Sequence, residues 1–205
     1  MLFKTEQEGF WAGKFGDEYI GRNSDKKIIA SNISLFNKIL RKAENVKTII
    51  EYGANIGLNL LAIEQLLIDV KLSAVEVNEK AVTELNKIDK IKVYHDSILN
   101  FKIDYERDFV FTKGVLIHIN PDFLPSVYDL LYRSTKKYIC LIEYYNPTPM
   151  SMCYRGHVDK LFKRDFAGEM LNIFQDLNLV DYGFCYHRDN NFSQEDVNWF
   201  LLEKK

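Results

Sequence analysis

The chain has 205 residues, of which 47% are hydrophobic and 27% are charged, which is the composition of one ordinary globular domain. A net charge of -2 at pH 7 argues against binding nucleic acid by bulk charge, although a local basic patch stays open. No apolar run is long enough to cross a bilayer, and residues 1–15 contain no uninterrupted signal-peptide core, so we expect a cytoplasmic protein without membrane contacts.

Apolar periodicity predicts strands and helices that alternate along the chain, in a single domain of residues 1–205. We expect an N-terminal lid and a helix in residues 1–45, with Ser24 or Asp25 as the helix cap, and the core sheet in residues 46–205. The predicted helices cover about 25–43, 58–67, 79–87, 121–134 and 163–177, and the predicted strands cover about 48–52, 72–77, 92–95, 109–112, 138–143, 179–187 and 197–203. Helical crossovers predict a seven-stranded, mostly parallel α/β sheet with helices on both faces, and the short last connection predicts an antiparallel C-terminal hairpin.

The cysteines and histidines predict neither a metal site nor a disulfide framework. Cys140, Cys153 and Cys185 lack the CxxC spacing, and no two of the four histidines form a metal-binding pair at helical spacing. We therefore expect buried or free thiols and no bound metal.

The stretch Glu51-Tyr52-Gly53-Ala54-Asn55-Ile56-Gly57 spans the end of the first predicted core strand and the loop that leads into the next helix. Its glycines allow a tight turn close to a ligand, and the helix N-terminus offers free N–H groups and a positive dipole end. Asn55 and Leu58 stand where a dinucleotide site has its second and third glycines, and the Lys-Ser/Thr pair of a phosphate-binding loop is missing. S-adenosylmethionine has no pyrophosphate to cradle, and the Glu51 carboxylate could hold its ammonium group directly or through water.

This Glu-x-Gly-x-x-x-Gly loop, with the predicted parallel sheet and its antiparallel end, resembles the class I S-adenosylmethionine-dependent methyltransferases. The resemblance covers most of the chain, and it implies a Rossmann-like fold and a methyltransferase enzyme with S-adenosyl-L-methionine as its cofactor. It also implies that Glu51, Gly53, Asn55 and Gly57 lie against the amino-acid end of that cofactor.

Acidic residues follow the second and third core strands, at the sheet edge where open α/β sheets bind ligands. Glu76, with Val77 beside it, comes about 20 residues after the glycine loop and can accept hydrogen bonds from both ribose hydroxyls. The resemblance implies that Asp96 accepts a hydrogen bond from the adenine amino group, that the Ser97 N–H reaches the ring and that Ile98 packs against it. The alternatives are a solvated glutamate at a strand tip and a simple turn or helix cap after the third strand.

The fourth core strand ends in Thr112, Lys113 and Gly114, which should pass close to the sulfonium and methionine part of the cofactor. Gly114 permits that approach because it has no Cβ. His118 follows and either faces the mouth of the site or merely caps or packs. An acceptor hydroxyl must lose its proton during methyl transfer, and His118 and His157 are the candidate general bases, whereas a neutral amine needs no strong base.

The N-terminal segment is dense in aromatic residues and glycines, and it could fold over the cofactor as a lid. Tyr19, Arg22 and Asn23 could bind the cofactor carboxylate, since arginine pairs with carboxylates through two parallel hydrogen bonds. The alternative is an aromatic strap packed on the core, which suits Phe10 and Phe15 best.

Two motifs narrow the resemblance: Phe-Trp-x-Gly-x-Phe-Gly-Asp-x-Tyr-x-x-Arg-Asn at 10–23 and Thr-Lys-Gly-Val-Leu-Ile-His-Ile-Asn-Pro at 112–121. They resemble the methylases associated with pseudaminic acid biosynthesis, which implies a bacterial nonulosonic sugar or its sugar-nucleotide precursor as the methyl acceptor. The loop after the fifth core strand would then supply substrate-binding side chains, unless it is only a polar surface loop. These candidates are Tyr144, Tyr145, Asn146, Tyr154, Arg155 and Lys160.

Three functions fit these features. We favour methylation of a hydroxyl or amine of a small molecule over methylation of a protein or RNA, because the charge is modest and no added recognition domain is seen. The third is cofactor binding by a regulatory protein without turnover. The sequence leaves the oligomeric state open.

Overall fold

The computed structural model describes residues 2–22 and 26–205. The helices in this part are α1 (Glu6–Ala12), α2 (Lys14–Arg22), α3 (Lys26–Leu40), α4 (Leu58–Leu66), α5 (Glu79–Leu85), α6 (Leu124–Ser134) and α7 (Phe166–Ile173), with short 3-10 helices at Leu116–His118 and Pro121–Phe123. The strands are β1 (Thr48–Tyr52), β2 (Lys71–Glu76), β3 (Ile91–His95), β4 (Arg107–Lys113), β5 (Thr135–Glu143), β6 (Met150–Tyr154), β7 (His157–Lys163), β8 (Leu177–Phe184) and β9 (Asn198–Lys204). The predicted helix caps Ser24 and Asp25 lie outside the described residues.

Seven of these strands form one sheet in the order β3-β2-β1-β4-β5-β9-β8. The strands from β3 to β5 are parallel, whereas β9 runs antiparallel to both β5 and β8. Ile50 of β1 pairs with Ser73 of β2 on one side and with Val110 of β4 on the other, so the strand order reverses at β1. The prediction of a mostly parallel seven-stranded sheet with an antiparallel C-terminal hairpin is confirmed. A crevice at the carboxyl end of β1 is the expected ligand position in such a sheet.

Helices cover both faces of the sheet because successive residues of the buried strands point to opposite sides. Ile49 and Phe111 belong to a cluster with the α3 residue Phe36 and the α4 residue Leu60. On the opposite face, Ile50 and Val110 belong to a cluster with Leu131 of α6 and Met170 of α7. Each such side chain contributes roughly 1.5–3 kcal/mol when fully buried, so the two clusters stabilise the platform on which the loops rest.

The segment after β5 departs from the prediction of a loop followed by a helix over 163–177. A two-stranded hairpin, β6–β7, occupies most of it, and α7 is confined to Phe166–Ile173. Arg155 and Gly156 form the turn between the paired residues Tyr154 and His157, and both have positive φ, 49° and 86°. The hairpin escaped detection because its strand residues are largely exposed and carry no apolar alternation.

Two short helices, α1 and α2, precede α3 in the N-terminal segment that the sequence marks as a lid or strap. Thr5 caps α1, and its hydroxyl accepts a hydrogen bond from the Glu8 N–H (3.2 Å) while the Glu8 side chain accepts one from the Thr5 N–H (3.0 Å). None of the helices in the described part of the chain is both long and apolar enough to cross a membrane.

Candidate active site

A cavity of about 530 Å³ lies at the carboxyl ends of the parallel strands. Its walls come from the glycine loop, the ends of β2, β3 and β4, the N-terminal helices α1 to α3, and the connection between β8 and β9. The cavity lining includes many of the predicted site residues: Tyr19, Gly53, Asn55, Glu76, Val77, Asp96, Ser97, Ile98, Lys113, Gly114 and His118. Residues far apart in the chain thus meet where the sheet topology places a ligand.

The glycine loop has the backbone geometry that only glycine adopts without strain at its two key positions. Gly53 has φ of +75°, and a Cβ built on it would lie 2.5 Å from Val115 Cγ2. Gly57 has φ of +82°, precedes α4, and a Cβ there would lie 2.8 Å from Leu85 Cδ2. Gly53 lines the cavity, whereas Gly57 packs beneath the loop and does not. The two glycines therefore shape the cradle from opposite sides.

Glu76 at the end of β2 presents a carboxylate to the cavity on a frame of backbone donors. Its Oε2 accepts from the Asn55 N–H (2.7 Å), and its Oε1 accepts from the N–H groups of Val77 (2.9 Å) and Asn78 (2.8 Å). Burial raises the pKa of Glu76, and the three backbone N–H groups oppose that rise. A carboxylate offers about four acceptor positions, so at least one remains for a ligand hydroxyl.

The turn after β3 is linked to the first N-terminal helix. The Ser97 N–H donates to Asp96 Oδ1 (2.8 Å), and the Ser97 hydroxyl donates to the Glu8 carboxylate of α1. In this structure the N–H predicted to reach a ligand ring is thus bonded to its neighbouring side chain. Glu8 is a lining residue that the sequence does not reveal, because its partner lies 89 positions away.

Two titratable side chains, Glu51 and Lys113, lie at the opposite end of the cavity, and both bond to Asn59. Glu51 is fully buried; its Oε1 accepts from Asn59 Nδ2 (2.6 Å), while its Oε2 has no hydrogen-bond partner among the described residues. Burial raises the pKa of Glu51 to about 8. Lys113 Nζ donates to Asn32 Oδ1 (2.8 Å) and Asn59 Oδ1 (3.4 Å), and burial lowers its pKa. Lys113, Asn32 and Asn59 line the cavity, whereas Glu51 and Thr112 lie behind that lining.

His118 is buried, and a single hydrogen bond sets its tautomer. Its Nδ1 lies 2.5 Å from the carbonyl oxygen of Lys160, which can only accept, so the proton sits on Nδ1 and Nε2 is an acceptor. Burial lowers the pKa of His118 to about 4, so the ring is neutral at physiological pH. The ring centre lies 4.5 Å from that of Trp11 and 5.0 Å from that of Tyr154.

The short 3-10 helix that carries His118 is anchored by a buried carboxylate at the end of β5. Glu143 Oε1 accepts from the N–H groups of Val115 (3.1 Å) and Leu116 (3.1 Å) and from the Thr112 hydroxyl (2.9 Å), and Oε2 lies 3.4 Å from the Ile117 N. Burial raises the pKa of Glu143 to about 7. This anchor explains why a strand-end glutamate that does not line the cavity still shapes it.

The β6–β7 hairpin packs against the N-terminal helices rather than lining the cavity. His157 contacts the rings of Phe10 (4.9 Å) and Phe15 (5.7 Å), and Gln7 Nε2 donates to the Asp159 carbonyl (2.9 Å). His157 is exposed and is not part of the cavity wall. The residues predicted to bind substrate are also absent from the cavity wall: Tyr144, Tyr145, Asn146, Tyr154, Arg155 and Lys160.

The predicted carboxylate-binding residues of the N-terminal segment are placed differently from one another. Tyr19 lines the cavity, and its ring meets that of Trp11 edge to face at 5.3 Å. Arg22 is exposed outside the lining, with its guanidinium 5.2 Å from the Phe15 ring. Asn23 lies outside the described residues.

Lining residues that sequence reasoning missed come mainly from α1, α3 and the β8–β9 connection. That connection brings His187, Ser193, Gln194 and Glu195 to the cavity wall, although His187 was predicted to end a strand and residues 188–195 to form a polar turn. No local signal marks them, because their position depends on how the last hairpin folds back toward α3. In residues 2–22 and 26–205, no group of three or more His, Cys, Asp or Glu side chains could hold a metal ion.

Solved structures of methyltransferases share this architecture. Magnesium protoporphyrin IX methyltransferase from Synechocystis PCC 6803 with bound SAH aligns with a TM-score of 0.73 at 12% identity, over 99% of this chain and 100% of that chain. An S-adenosylmethionine-dependent methyltransferase from Clostridium acetobutylicum ATCC 824 aligns with a TM-score of 0.63 at 13% identity, over 92% and 95% of the two chains. The glycopeptide N-methyltransferase MtfA complexed with sinefungin aligns with a TM-score of 0.64 at 8% identity, over 85% and 94%.

No protein-family model and no curated protein matches the sequence. The structural likeness therefore stands at the level of the fold, and it agrees with the strand order and the position of the cavity. The chain has the Rossmann-like class I methyltransferase fold.

Proposed function

We propose that this protein is an S-adenosyl-L-methionine-dependent methyltransferase that acts on a hydroxyl or amine of a small molecule. One observation carries the proposal: the Glu76 carboxylate, framed by three backbone N–H groups, faces a cavity at the point where the strand order reverses. This arrangement suits a nucleoside ribose. Two of the solved structures with the same fold hold SAH and sinefungin, which supports the same class of ligand here.

The residues at the adenosine end fit such a ligand. Gly53 leaves open the space that a Cβ would fill, and Asn55 and Glu76 are joined at 2.7 Å. In our proposal the ribose hydroxyls donate to Glu76, Asp96 accepts from the adenine amino group, and Val77 and Ile98 flank the ring. The Ser97 N–H can reach the ring only if it leaves its present bond to Asp96.

The residues at the other end suit an amino-acid tail. Lys113 supplies an ammonium group for the cofactor carboxylate. Glu51 lies behind the cavity wall, its Oε2 lacks a partner among the described residues, and it supplies a carboxylate for the ammonium group directly or through water. Gly114 forms part of the wall between them. We keep Thr112, Tyr19, Arg22 and Asn23 as predicted contributors to this end.

The acceptor is proposed to be a bacterial sugar of the nonulosonic type or its sugar-nucleotide precursor, on the strength of the two sequence motifs at 10–23 and 112–121. The charge of the cavity adds a constraint. Among the described residues, its lining contains four carboxyl side chains, Glu8, Glu76, Asp96 and Glu195, and one ammonium group, that of Lys113. An anionic group would be repelled by this lining. We therefore expect an uncharged or amine-bearing part of the acceptor to enter and any acidic group to stay outside.

The reaction is an in-line displacement, for which the protein aligns the partners and excludes water. When bound, the cofactor supplies an electrophilic methyl group on sulfur. Trp11, Tyr19 and Val115 wall the cavity against solvent, and His118 Nε2 is available to accept a hydrogen bond from the acceptor hydroxyl. Of the two predicted bases, His118 is on the cavity wall and His157 is not.

Calorimetry tests the cofactor half of this proposal. S-adenosylhomocysteine should bind, NAD and ATP should not, and Glu76→Gln should weaken binding at least about tenfold because a charge-assisted hydrogen bond is lost. Glu79→Gln, which changes an exposed carboxylate on α5 three positions away, should leave the affinity unchanged. Binding of NAD or ATP in place of S-adenosylhomocysteine would contradict the proposal.

A methyl-transfer screen tests the catalytic half. Tritiated S-adenosylmethionine is incubated with the protein and with neutral, amino and acidic sugars, and label is followed into the sugar fraction. We expect label in a neutral or amino sugar. Tight cofactor binding with no transfer to any sugar, protein or RNA would instead indicate a regulatory protein.

A further inference from the structure

We infer that the β8–β9 connection, residues 185–197, forms the acceptor side of the cavity and that His187, held by Asp196, takes the proton of the acceptor group. This inference rests on the proposed methyltransferase function. It assigns to the C-terminal hairpin the role that the sequence suggests for the loop after β5.

The geometry of His187 and Asp196 is that of an oriented base. His187 Nδ1 lies 2.8 Å from Asp196 Oδ2 and 2.9 Å from Oδ1, and the His187 N–H donates to Oδ1 at 2.9 Å. A carboxylate accepts only, so the neutral ring carries its proton on Nδ1, and its Nε2 is left with a lone pair. His187 lines the same cavity as Glu76 and Lys113, so the inference assigns that lone pair to the acceptor group.

Three contacts hold this connection in place over the cavity. Gln194 Nε2 donates to Asn32 Oδ1 (3.2 Å), and the same oxygen accepts from Lys113. The Tyr144 hydroxyl donates to Glu195 Oε2 (2.7 Å). The Cys185 N–H donates to the Val197 carbonyl (2.9 Å), which closes the base of the connection. Tyr144, predicted to bind substrate, thus acts on the cavity through Glu195.

His118 and His187 differ in their capacity to hold a proton. His118 is buried beside Trp11 and Tyr154 with only a carbonyl oxygen on its Nδ1, so an imidazolium there would be poorly solvated. The side chain of His187 is 56% exposed and bonded to the Asp196 carboxylate, so both water and a counter-charge lie beside its ring. Burial holds the pKa of His118 at about 4. His118 therefore suits orientation of the acceptor, and His187 suits removal of its proton.

The charges around His187 and Asp196 favour His187 as the residue that removes the proton. Glu195 adds a second carboxylate on the same connection, and Lys113 is the lining cation, held away by its bonds to Asn32 and Asn59. The His187 backbone N–H and then its side chain lower the pKa of Asp196, so that carboxyl stays ionised. An ionised partner is what the imidazolium requires.

The step balances without any further reactant. A lone pair on the acceptor oxygen or nitrogen forms the bond to the methyl carbon, and the carbon–sulfur bond breaks with its electron pair going to sulfur. The acceptor O–H or N–H proton passes to His187 Nε2, and the exposed imidazolium then releases it to water. Asp196 stays ionised throughout.

The test measures methyl transfer from tritiated S-adenosylmethionine to D-fucose and D-glucosamine as defined probes. For His187→Ala we expect turnover to fall about 10²-fold or more, cofactor affinity to stay within about twofold, and added imidazole to restore part of the turnover. Asp196→Asn should also lower turnover. Arg188→Ala, an exposed neighbour outside the cavity wall, is the matched control and should keep full turnover.

Full turnover in His187→Ala, or a loss of turnover that imidazole does not restore, would overturn the inference. The proposed function would still stand in that case if the wild-type protein binds the cofactor. A wild-type protein that binds no cofactor would instead overturn the proposed function. If neither probe is methylated, diethyl pyrocarbonate labelling mapped by mass spectrometry decides. S-adenosylhomocysteine should slow labelling of His187 but not of His157, which lies outside the cavity wall. A His187 labelling rate that is the same with and without S-adenosylhomocysteine would exclude His187 from the site.

Discussion

His118 Nδ1 lies 2.5 Å from the carbonyl oxygen of Lys160, so a strand of the β6–β7 hairpin decides which ring nitrogen is left to accept a hydrogen bond in the cavity. The hairpin thus bears on the site through the backbone of Lys160, not through the lysine side chain predicted to bind substrate. Lys160 Nζ instead lies 3.2 Å from Glu6 Oε2 on α1. This contact links the orientation of His118 to the position of the N-terminal helices.

Replacing His118 by alanine should lower turnover at least about tenfold while cofactor affinity changes by no more than about twofold. Turnover should change more than affinity because Nε2 is proposed to orient the acceptor, whereas His118 is not among the residues predicted to bind the cofactor. Steady-state kinetics with labelled cofactor, together with calorimetry, measures both quantities. Turnover within about twofold of the wild type would mean that another residue orients the acceptor.

Gly53→Val should abolish cofactor binding. Valine disfavours φ of +75°, and its Cβ would lie 2.5 Å from Val115 Cγ2 and fill the approach to the loop. Calorimetry with S-adenosylhomocysteine reads the effect, and thermal unfolding shows whether the variant still folds. Gly21→Ala is the control, since its Cβ would meet nothing within 4 Å. Near-native affinity in a folded Gly53→Val protein would contradict the prediction.

Cofactor affinity should rise with pH between about 5.5 and 7.5, because the pKa of Glu51 in the free protein is about 8. In that range Glu51 is mostly protonated, and a cofactor ammonium beside it favours the ionised form, so binding releases a proton. Linkage then gives a rise of up to about tenfold in affinity per pH unit.

Calorimetry in two buffers with different ionisation enthalpies counts the released protons directly. Glu51→Gln cannot titrate, so its affinity should be weaker and nearly flat over the same range. A wild-type protein whose affinity falls as the pH rises through this window would show that Glu51 does not face the ammonium group.

Glu143→Ala should destabilise the protein by at least about 3 kcal/mol. The substitution leaves the N–H groups of Val115, Leu116 and Ile117 without an acceptor, and each unpaired group costs about 1–3 kcal/mol. Turnover should fall as well, since the same bonds hold the 3-10 helix that carries His118. Urea unfolding measures the free energy of unfolding. Glu143→Gln keeps one acceptor oxygen and should lose less, and equal losses in the two variants would exclude this account.

Local sequence was sufficient for the glycine-loop side of the cavity. The bounds of β1, the glycine loop and the start of α4 follow from a short apolar run, two glycines and a periodic stretch, and they appear where expected. Glu76 and Asp96 follow from one further rule, that parallel strands present their carboxyl ends at the same edge. Their contacts to a ligand stay predictions, but their convergence on one cavity is observed.

The parts of the cavity wall that come from α1 and the last hairpin depended on long-range packing that no local pattern encodes. Glu8 reaches Ser97 across 89 positions, and Gln194 reaches Asn32 across 162, because α1 and the last hairpin fold over a crevice that forms only once the sheet is assembled. The largely exposed strands β6 and β7 show no alternation of apolar and polar residues, so the sequence predicted a binding loop after β5 instead of two strands. Periodicity and turn chemistry thus determined the sheet and the edge where its parallel strands end. The tertiary structure alone decided which distant side chains close the cavity, since that depends on the shapes of packed surfaces and not on spacing along the chain.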